Sequence, residues 1–482
     1  MSLQDGLALL PEILLVVWAS ALLLLNLFIP EERKGWVAVL AALGLGVALA
    51  AALALSTRAY SAFSGMVVVD GFAVFLEVLL AASGIVALAL AHDYLQRLGL
   101  EQRGEYSVLL LFAVAGMMII VQAADFIIIF LALELLSIPL YVLAGMARRR
   151  ADSEEAALKY FLLGAFAAGF LVYGVALIYG ATATTSFAEV VAVVKAGEVA
   201  MPLFVAGAAL VLVGLAFKVA AVPFHMWTPD VYQGAPSSVT GFMAVGAKVA
   251  GFAVLLRLFA FVFPALAVRF VPVLWTLAVL TMVVGNFAAL AQRNIKRMLA
   301  YSSIAHAGYI LLALVPFAWS GVMRHAVAAG LFYLVAYAVA NFGAWAVVVA
   351  LEKAEGKGLD LEDYAGLARK YPALSVAMAV FMFSFAGMPP TVGFVGKFYL
   401  FRTAIEAGFV DLAVIGVLTS LVSVYYYLRV VVYMFMRSGE PEARQEPWLA
   451  LTWGGMAVAV LVLGLFAAPV FRWAAQALMF WG

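Results

Sequence analysis

Residues 203–231 have the sequence LFVAGAALVLVGLAFKVAAVPFHMWTPDV, an apolar stretch that contains Lys218 and Pro223. The stretch is longer than the about 20 apolar residues that cross a bilayer as one straight α-helix. Its interior proline removes a backbone hydrogen bond, and freed carbonyl groups at membrane depth are tolerated only inside protein or beside water. We therefore expect a discontinuous transmembrane helix with a lysine near its break.

A second overlong apolar span, residues 373–406, contains the pair Pro389-Pro390. Four residues after the proline each of the two spans has an aromatic residue, and seven residues after it a charged one, Asp230 or Lys397. The two segments should run in opposite directions, which is the geometry of an inverted repeat whose broken helices meet a transport site near the midplane. Two unrelated proline kinks are the alternative.

Composition identifies lipid as the solvent of this chain. Of its 482 residues 67% are hydrophobic and 11% are charged, whereas soluble domains carry about 25% charged residues. The net charge of +1 excludes the basic footprint of a nucleic-acid binder. Cysteine is absent, which excludes disulfides, thiolate-held zinc and cysteine-held iron–sulfur clusters in this chain. Residues 1–6 contain no lysine or arginine, so we expect the first apolar stretch to remain as a membrane span.

Apolar runs of about 20 residues, bounded by charges or turn formers, predict an all-α integral membrane protein with about 14 transmembrane helices. Helices seven and twelve are expected to be discontinuous. The predicted spans are residues 7–28, 36–56, 70–92, 106–122, 125–146, 156–180, 203–231, 236–264, 269–290, 298–317, 324–351, 373–406, 411–436 and 449–470.

The inverted repeat divides this chain into four predicted parts. Residues 1–105 contain spans one to three, and residues 438–482 contain the C-terminal helix. Between them, spans four to eight (106–264) and spans nine to thirteen (265–437) form two five-helix repeats.

The basic residues of the connections predict the orientation. The even-numbered loops and the C-terminal tail contain 5 lysines and arginines, and the odd-numbered loops contain 16. Lysine and arginine are enriched in cytoplasmic loops, so both termini should face the outer side. The 16 are Arg33, Lys34, Arg97, Arg103, Arg148, Arg149, Arg150, Arg293, Lys296, Arg297, Lys353, Lys357, Arg369, Lys370, Arg437 and Arg444.

Four charged residues lie far from either end of their predicted spans: Glu134, Lys218, Lys248 and Lys397. Lys248 is twelve residues into its span, roughly 18 Å at 1.5 Å per residue. A charge at the bilayer centre costs at least about 2.5–3.5 kcal/mol on insertion scales, so such residues are candidates for an ion pathway. A buried structural salt bridge is the alternative for each of them.

Other charged residues in the spans are closer to an end. Lys159 is a candidate for the pathway, with a side chain that extends to the cytoplasmic interface as the alternative. Arg402 is expected to pair with Glu406 four residues later. Structural or interfacial roles are predicted for Glu12, Glu77, Arg257 and Arg429.

The residue types favour protons as the cargo. Burial and like charges lower the pKa of a lysine toward neutrality, and a nearby carboxylate restores its charged form. Glu134 is the candidate partner of Lys159 or Lys218. A sodium path would need oxygen-rich cages, yet the central lysines outnumber the central carboxylates. His225, after Pro223, and His306 in span ten are candidate relays, with hydrogen-bonded structural histidines as the alternative.

No nucleotide-binding motif supplies energy. Residues 393–398, GFVGKF, lack the leading glycine of a P-loop at position 391 and its serine or threonine at position 398. We expect the energy to come from an ion gradient or from partner proteins.

Several motifs resemble the antiporter-like N subunit of proton-pumping NADH:quinone oxidoreductase, respiratory complex I. The likeness covers spans four to thirteen, and lysine at position 397 distinguishes the N subunit from similar subunits that carry glutamate there. Its motifs are LELLSIPLY at 133–141, FK at 217–218, VPFHMWTPDVYQGAP at 222–236, NIKR at 294–297, YSSI at 301–304, GY at 308–309 and GFVGKFY at 393–399.

The resemblance implies a role for each charged residue. Glu134 would pair with Lys159 or Lys218, Lys248 would be central, and Lys397 would be the outward lysine. The chain would be a subunit without redox chemistry of its own in the membrane arm of this enzyme, next to other antiporter-like subunits in a bacterial cytoplasmic membrane. Protons would cross it when quinone is reduced elsewhere.

The resemblance also implies that this chain holds no cofactor and that FMN, iron–sulfur clusters and quinone belong to partner subunits. Two alternatives remain at this point. The first is a subunit of a multisubunit cation/proton antiporter or of a membrane-bound hydrogenase. The second is a scaffold whose buried charges only fix the register of its helices.

Overall fold

A computed structural model of the chain describes residues 3–30, 33–56, 58–97, 104–148, 150–318, 320–353, 356–477 and 479. These residues form an almost entirely helical protein with one short β-hairpin. Arg103 and Arg149, two of the basic loop residues used to predict the orientation, lie outside the described residues.

Twenty α-helices and two β-strands make up the described fold. Their bounds are α1 Leu3–Ala8, α2 Leu10–Leu25, α3 Gly35–Ala54, β1 Tyr60–Ala62, β2 Val67–Val69, α4 Gly71–Arg97, α5 Glu105–Val121, α6 Phe126–Ala144, α7 Ala151–Thr182, α8 Phe187–Ala196, α9 Met201–Lys218, α10 Trp227–Gly234, α11 Ser237–Arg257, α12 Ala267–Leu290, α13 Ile295–Leu311, α14 Ser320–Leu351, α15 Leu367–Lys370, α16 Pro372–Ala386, α17 Val392–Glu406, α18 Val410–Met436, α19 Pro447–Leu465 and α20 Ala468–Gln476.

The helices confirm the predicted membrane architecture. Within the described residues, 11 helices are long and apolar enough to cross a membrane, and α2, α5 and α16 are shorter apolar helices. Together these account for the fourteen predicted spans, with α10 and α17 as the second halves of spans seven and twelve. The short helix α8 lies outside the predicted spans, and α20 begins at the end of the last predicted span and extends beyond it.

Span seven is broken between Lys218, where α9 ends, and Trp227, where α10 begins. Tertiary contacts satisfy backbone groups that the break frees from the helix. The Thr281 hydroxyl accepts a hydrogen bond from the Val222 amide at 2.9 Å, and the Trp227 indole donates to the carbonyl of Phe217 at 3.0 Å. The break is therefore stable at membrane depth because other helices provide its hydrogen-bond partners.

Span twelve is broken between α16 and α17, as predicted. Gly387 ends α16 with φ of +83°, a left-handed conformation that glycine adopts without steric cost. Gly464 of α19 lies against this second break, since a Cβ at that position would collide with the carbonyl oxygen of Pro390. Helix α19 thus covers the second break from within the chain.

The two sets of five spans pack in a similar way. Helix α5 contacts α6 and α11 in the first set, and α12 contacts α13 and α18 in the second. Helix α7 packs on α9, and α14 packs on α16 and α17. Since each crossing reverses the direction of the chain, elements five spans apart run in opposite directions. The division at residues 106–264 and 265–437 remains a prediction.

The β-hairpin was not anticipated from the sequence. Strands β1 and β2 pair antiparallel with Tyr60 opposite Val69. Val67 also forms a bridge with Ala123, and the Val68 amide donates to the carbonyl of Gln122 at 2.9 Å. The hairpin therefore lies over the end of α5, on the side predicted to be the outer one.

A buried ionic network links the helices at the ends opposite to the hairpin. Glu352, after α14, accepts hydrogen bonds from the Tyr94 hydroxyl at 2.8 Å and from the Arg150 guanidinium at 2.9 Å. Nearby, the ammonium group of Lys296 donates to the carbonyl of Ala235 at 2.6 Å. These contacts join α4, α7, α11, α13 and α14 on the side predicted to be cytoplasmic.

The arginines near helix ends have partners within the protein. Arg402 pairs with Glu406 at 2.7 Å, as expected. Arg429 donates to the carbonyls of Leu290 and Gln292, where it caps the C-terminus of α12 in a structural role. Arg257 is buried and pairs with Asp70 at 2.8 Å, a contact of the structural kind expected for it.

Glu12 and Glu77 lie near the starts of α2 and α4, the helix ends predicted to be outer, and their side chains are buried in the protein.

Candidate functional site

Glu134 lies near the middle of α6, on a half-buried part of the helix. Leu131 and Ile138, on the same face, are both 56% exposed. The carboxylate of Glu134 is close enough to Lys218 for the two charges to interact. Glu134 therefore links the buried interior to an outward surface of this chain.

Lys218 is the last residue of α9 and is buried at the break. Its ammonium group donates to the Ser137 hydroxyl at 2.7 Å and lies 3.5 Å from the hydroxyl of Tyr160. Ser137 follows Glu134 by three residues on α6, so both face α9 from the same side of that helix. The helix break thus places the ammonium group of Lys218 against α6, within about one helical turn of Glu134.

Lys159 was one of two lysines predicted to pair with Glu134, and the structure gives it other partners. Its ammonium group bonds to Asp230 and to Glu155, each at 2.7 Å, and its side chain is 39% exposed. Arg297 binds the other oxygen of Asp230 at 2.7 Å. These residues line a cavity of about 210 Å³. Of the two candidate lysines, it is Lys218 that interacts electrostatically with Glu134, beyond salt-bridge distance.

Lys248 lies in the middle of α11 and is 2% exposed. Its ammonium group donates to the carbonyl oxygen of Ser303 at 2.5 Å and lies 5.7 Å from the centre of the Tyr337 ring. A Cβ at Gly251, three residues further along α11, would lie 3.7 Å from the Cβ of Lys218. The first break and the central lysine are therefore about one helical turn apart along α11.

His306 on α13 bridges two tyrosines in the interior. Its Nδ1 lies 2.7 Å from the Tyr333 hydroxyl, and its Nε2 lies 3.1 Å from the Tyr427 hydroxyl. The Tyr337 hydroxyl donates to the Ser303 hydroxyl at 2.8 Å. The His306 ring lies 5.2 Å from the Tyr337 ring, which Lys248 faces, and 5.8 Å from the Tyr309 ring, which lies against Lys397. His306 is therefore close to the aromatic neighbours of both lysines.

Lys397 lies on α17, behind the second break, and is 4% exposed. Its ammonium group donates to the carbonyls of Phe385 and Ala386 at 2.8 and 3.2 Å, and to the Ser420 hydroxyl at 2.7 Å. The ring of Tyr309 is 4.6 Å away. Carbonyl groups at the end of α16, which the break leaves without helical partners, thus bind the ammonium group.

His225 lies in the first break but takes no part in the row formed by Glu134, the three buried lysines and the residues around His306. Its side chain is half-buried and interacts with the backbone of Pro223. Its Nδ1 has no hydrogen-bond partner among the described residues. The structure thus supports a bridging position for His306 alone of the two predicted relays.

The result is a buried polar row across the protein. It begins at Glu134, passes Lys218 and Lys248, and reaches Lys397 through the hydroxyl groups around His306. Within the part of the chain that the structure describes, the three lysines form no ion pair with a carboxylate at salt-bridge distance. Groups of this kind can accept, donate and pass on protons because hydroxyls and imidazole both donate and accept hydrogen bonds.

Several members of this row carry no signal in the sequence. Ser137, Tyr333, Tyr337 and Tyr427 are neutral and common in apolar helices, so neither charge nor hydropathy singles them out. Asp230 carried a signal, since it follows the proline of the first break at the same distance as Lys397 follows that of the second.

Comparison with known proteins gives a consistent match. Residues 123–423 match the NADH:quinone oxidoreductase/Mrp antiporter transmembrane family. NADH-quinone oxidoreductase subunit N of Trichlorobacter lovleyi is 47% identical over 475 residues, which cover 97% of this chain and 96% of that protein.

Two solved structures have the same fold. A chain of respiratory complex I from Thermus thermophilus with bound aureothin is 38% identical, with a TM-score of 0.82 over 97% of this chain and 100% of that one. A chain of the Mrp complex from Dietzia sp. is 23% identical, with a TM-score of 0.84 over 99% of this chain and 97% of that one. The second likeness concerns the fold alone.

Proposed function

Since this chain belongs to the NADH:quinone oxidoreductase/Mrp antiporter transmembrane family, and within it to the N subunits of NADH-quinone oxidoreductase, we propose that it moves protons across the membrane as a subunit of complex I. It does so without redox chemistry of its own. Quinone reduction elsewhere in the complex supplies the energy.

One observation carries this proposal: three buried lysines lie along one row, each held by hydroxyl or carbonyl oxygens rather than by a carboxylate. A structural salt bridge would supply a fixed counter-charge beside each of them. Neutral partners can hydrogen-bond both the ammonium and the amine form of lysine, so either protonation state is tolerated in place. This argues against the scaffold alternative.

Proton movement follows from the order of the groups. Glu134 stabilises a charged Lys218, and a change of charge on Glu134 releases that stabilisation. A proton then passes along α11 to Lys248, whose nearest bridge to Lys397 is formed by Ser303, Tyr337 and His306. Lys397, held by carbonyls at the second break, is the exit from the row.

The exposed surfaces support neighbouring subunits as partners. Glu134 is half-buried between two exposed apolar residues, and Met226 in the first break is 77% exposed. A charge and a broken helix at membrane depth are unfavourable against lipid. Whereas α19 covers the second break, an antiporter-like neighbour would cover the first and bring its own charges close to Glu134.

We further propose that flavin, iron–sulfur clusters and quinone belong to partner subunits. For the iron–sulfur clusters, the absence of cysteine from this sequence supports the proposal. The excess of lysine and arginine in the odd-numbered loops supports an orientation in a bacterial cytoplasmic membrane with both termini on the outer side.

The test uses the assembled complex in proteoliposomes. Lys248→Ala and Glu134→Ala should lower proton pumping and the coupled reduction of quinone, while assembly is retained. Lys195→Ala, which removes an exposed lysine at the end of α8, is the matched control and should pump normally. Normal pumping by both Lys248→Ala and Glu134→Ala would refute the proposal.

A cation/proton antiporter is the second candidate, favoured only by the shared fold with the Mrp chain at 23% identity. The purified chain in liposomes separates the two functions. Proton flux driven by a sodium or potassium gradient in the absence of partners would favour the antiporter.

A further inference from the structure

A separate cluster of acidic side chains lies near the first residues of α2. The side-chain nitrogen of Gln122 donates to Glu12 at 3.1 Å, and it also donates to Glu77. The carbonyl oxygen of Ala8 lies 3.4 Å from the same nitrogen. One amide thus holds carboxyl groups from α2 and α4 side by side.

These groups are sealed from solvent. Glu12, Glu77 and Gln122 are 2%, 1% and 0% exposed. The second oxygen of each carboxyl group and the Gln122 side-chain oxygen have no hydrogen-bond partner among the described residues. Three buried acceptor oxygens of this cluster therefore lack a donor, whereas buried acceptors normally have one. A proton on one carboxyl group supplies such a donor.

The charges around the cluster leave it negative. Asp70, close to Glu77, already binds Arg257 through two hydrogen bonds of 2.8 and 3.1 Å, and Arg257 also donates to the Val121 carbonyl at 3.0 Å. Asp5 accepts from the hairpin backbone, and Asp125 caps α6. Arg257 also interacts electrostatically with Glu77, but its two terminal nitrogens bind Asp70. Among the described residues, therefore, neither glutamate has a cation at salt-bridge distance.

We propose that Glu12 and Glu77 hold one proton between them, as a carboxylic acid beside a carboxylate with Gln122 as their common donor. When the proton binds, one O–H bond forms on a carboxyl oxygen. When it leaves, two carboxylates remain. Burial and the closeness of the like charges disfavour that state, so the pair retains its proton more strongly than a single exposed carboxyl group would.

The position of the cluster indicates the side with which the proton exchanges. Glu12 is two residues into α2 and Glu77 six residues into α4, about 3 and 9 Å from the helix starts at 1.5 Å per residue. Gln122 immediately follows α5, under the hairpin. All three helix ends lie on the predicted outer side, so the outer solution is the source of this proton.

The pair lies apart from the lysine row, so this inference is independent of the proposed function. The experiment uses the whole purified complex and infrared difference spectroscopy between two pH values, in water and in heavy water. The carbonyl stretch of a protonated carboxylic acid reports the shared proton directly. Glu189→Gln is the matched control, because this glutamate is exposed on α8, which is also on the predicted outer side.

We expect Glu12→Gln and Glu77→Gln each to shift the titration of that band, the double variant to abolish it, and Glu189→Gln to leave it unchanged. Glu77→Asp retains an acid at this position and should retain the band, which keeps the test valid if the glutamine variants fail to assemble. A band unchanged in the double variant, or lost in Glu77→Asp complex that has assembled, overturns the proposal. A wild-type titration that moves with sodium concentration also overturns it, since the ligand would then be a metal cation.

Discussion

Gly387→Ala tests whether the position of the Lys397 ammonium group sets the pumping rate. Gly387 ends α16 in a left-handed conformation, and a Cβ there would lie 2.9 Å from the Cδ of Lys397. Ordinary contact begins at 3.4 Å. The lysine side chain must therefore move by at least the difference, 3.4 − 2.9 = 0.5 Å.

That shift acts on three hydrogen bonds of 2.7 to 3.2 Å made by the ammonium group. A hydrogen bond to a charged group contributes about 1.5–3 kcal/mol. Loss of one of them in a rate-limiting proton transfer corresponds to about tenfold or more in rate. We expect proton pumping to fall by that order while the complex still assembles.

Gly408→Ala is the control that separates backbone strain from displacement of the lysine. Gly408 has φ of +89°, and nothing lies within 4 Å of an added Cβ. Both variants should lose about 1–2 kcal/mol of stability from the left-handed backbone. Proton pumping in proteoliposomes and the unfolding temperature of the complex are the two measurements. Equal pumping by the two variants would refute the reasoning, because only Gly387 touches Lys397.

Other variants test the rest of the site. Asp230→Asn should lower proton pumping several-fold because Lys159 and Arg297 lose their shared carboxylate. The free energy of unfolding should change by about 1 kcal/mol or less because the carboxylate is partly exposed. An unchanged pumping rate would exclude Lys159 from the path. His306→Phe should lower pumping tenfold or more, since positioned acid–base groups contribute at least about that much, and His225→Phe should not; equal effects would contradict the assignment of the relay. Thr281→Val should lower the free energy of unfolding by about 1–3 kcal/mol because the Val222 amide loses its acceptor. Thr276→Val, at an exposed site, should change it by at most about 0.5 kcal/mol. Similar losses in both variants would show that the break needs no such acceptor.

The order of residues along the chain suffices to predict the membrane class, the fourteen spans, both breaks and the depth of the central lysines. These features depend on hydropathy and on proline, whose effects extend over about 20 residues or fewer along the chain. Lys218, Lys248 and Lys397 could be found this way because a charge in the middle of an apolar helix is conspicuous wherever that helix packs.

Which side chains meet depends instead on the packing of the helices in three dimensions. Lys159 pairs with Asp230 rather than with Glu134. His306, and not His225, lies in the row, and Glu12 lies beside Glu77 in the interior. The partners in these contacts come from different helices and are mostly separated by tens to more than a hundred residues. Such contacts depend on how helices rotate and pack against one another, and in lipid close packing and hydrogen bonds set that arrangement more than the hydropathy of any one segment.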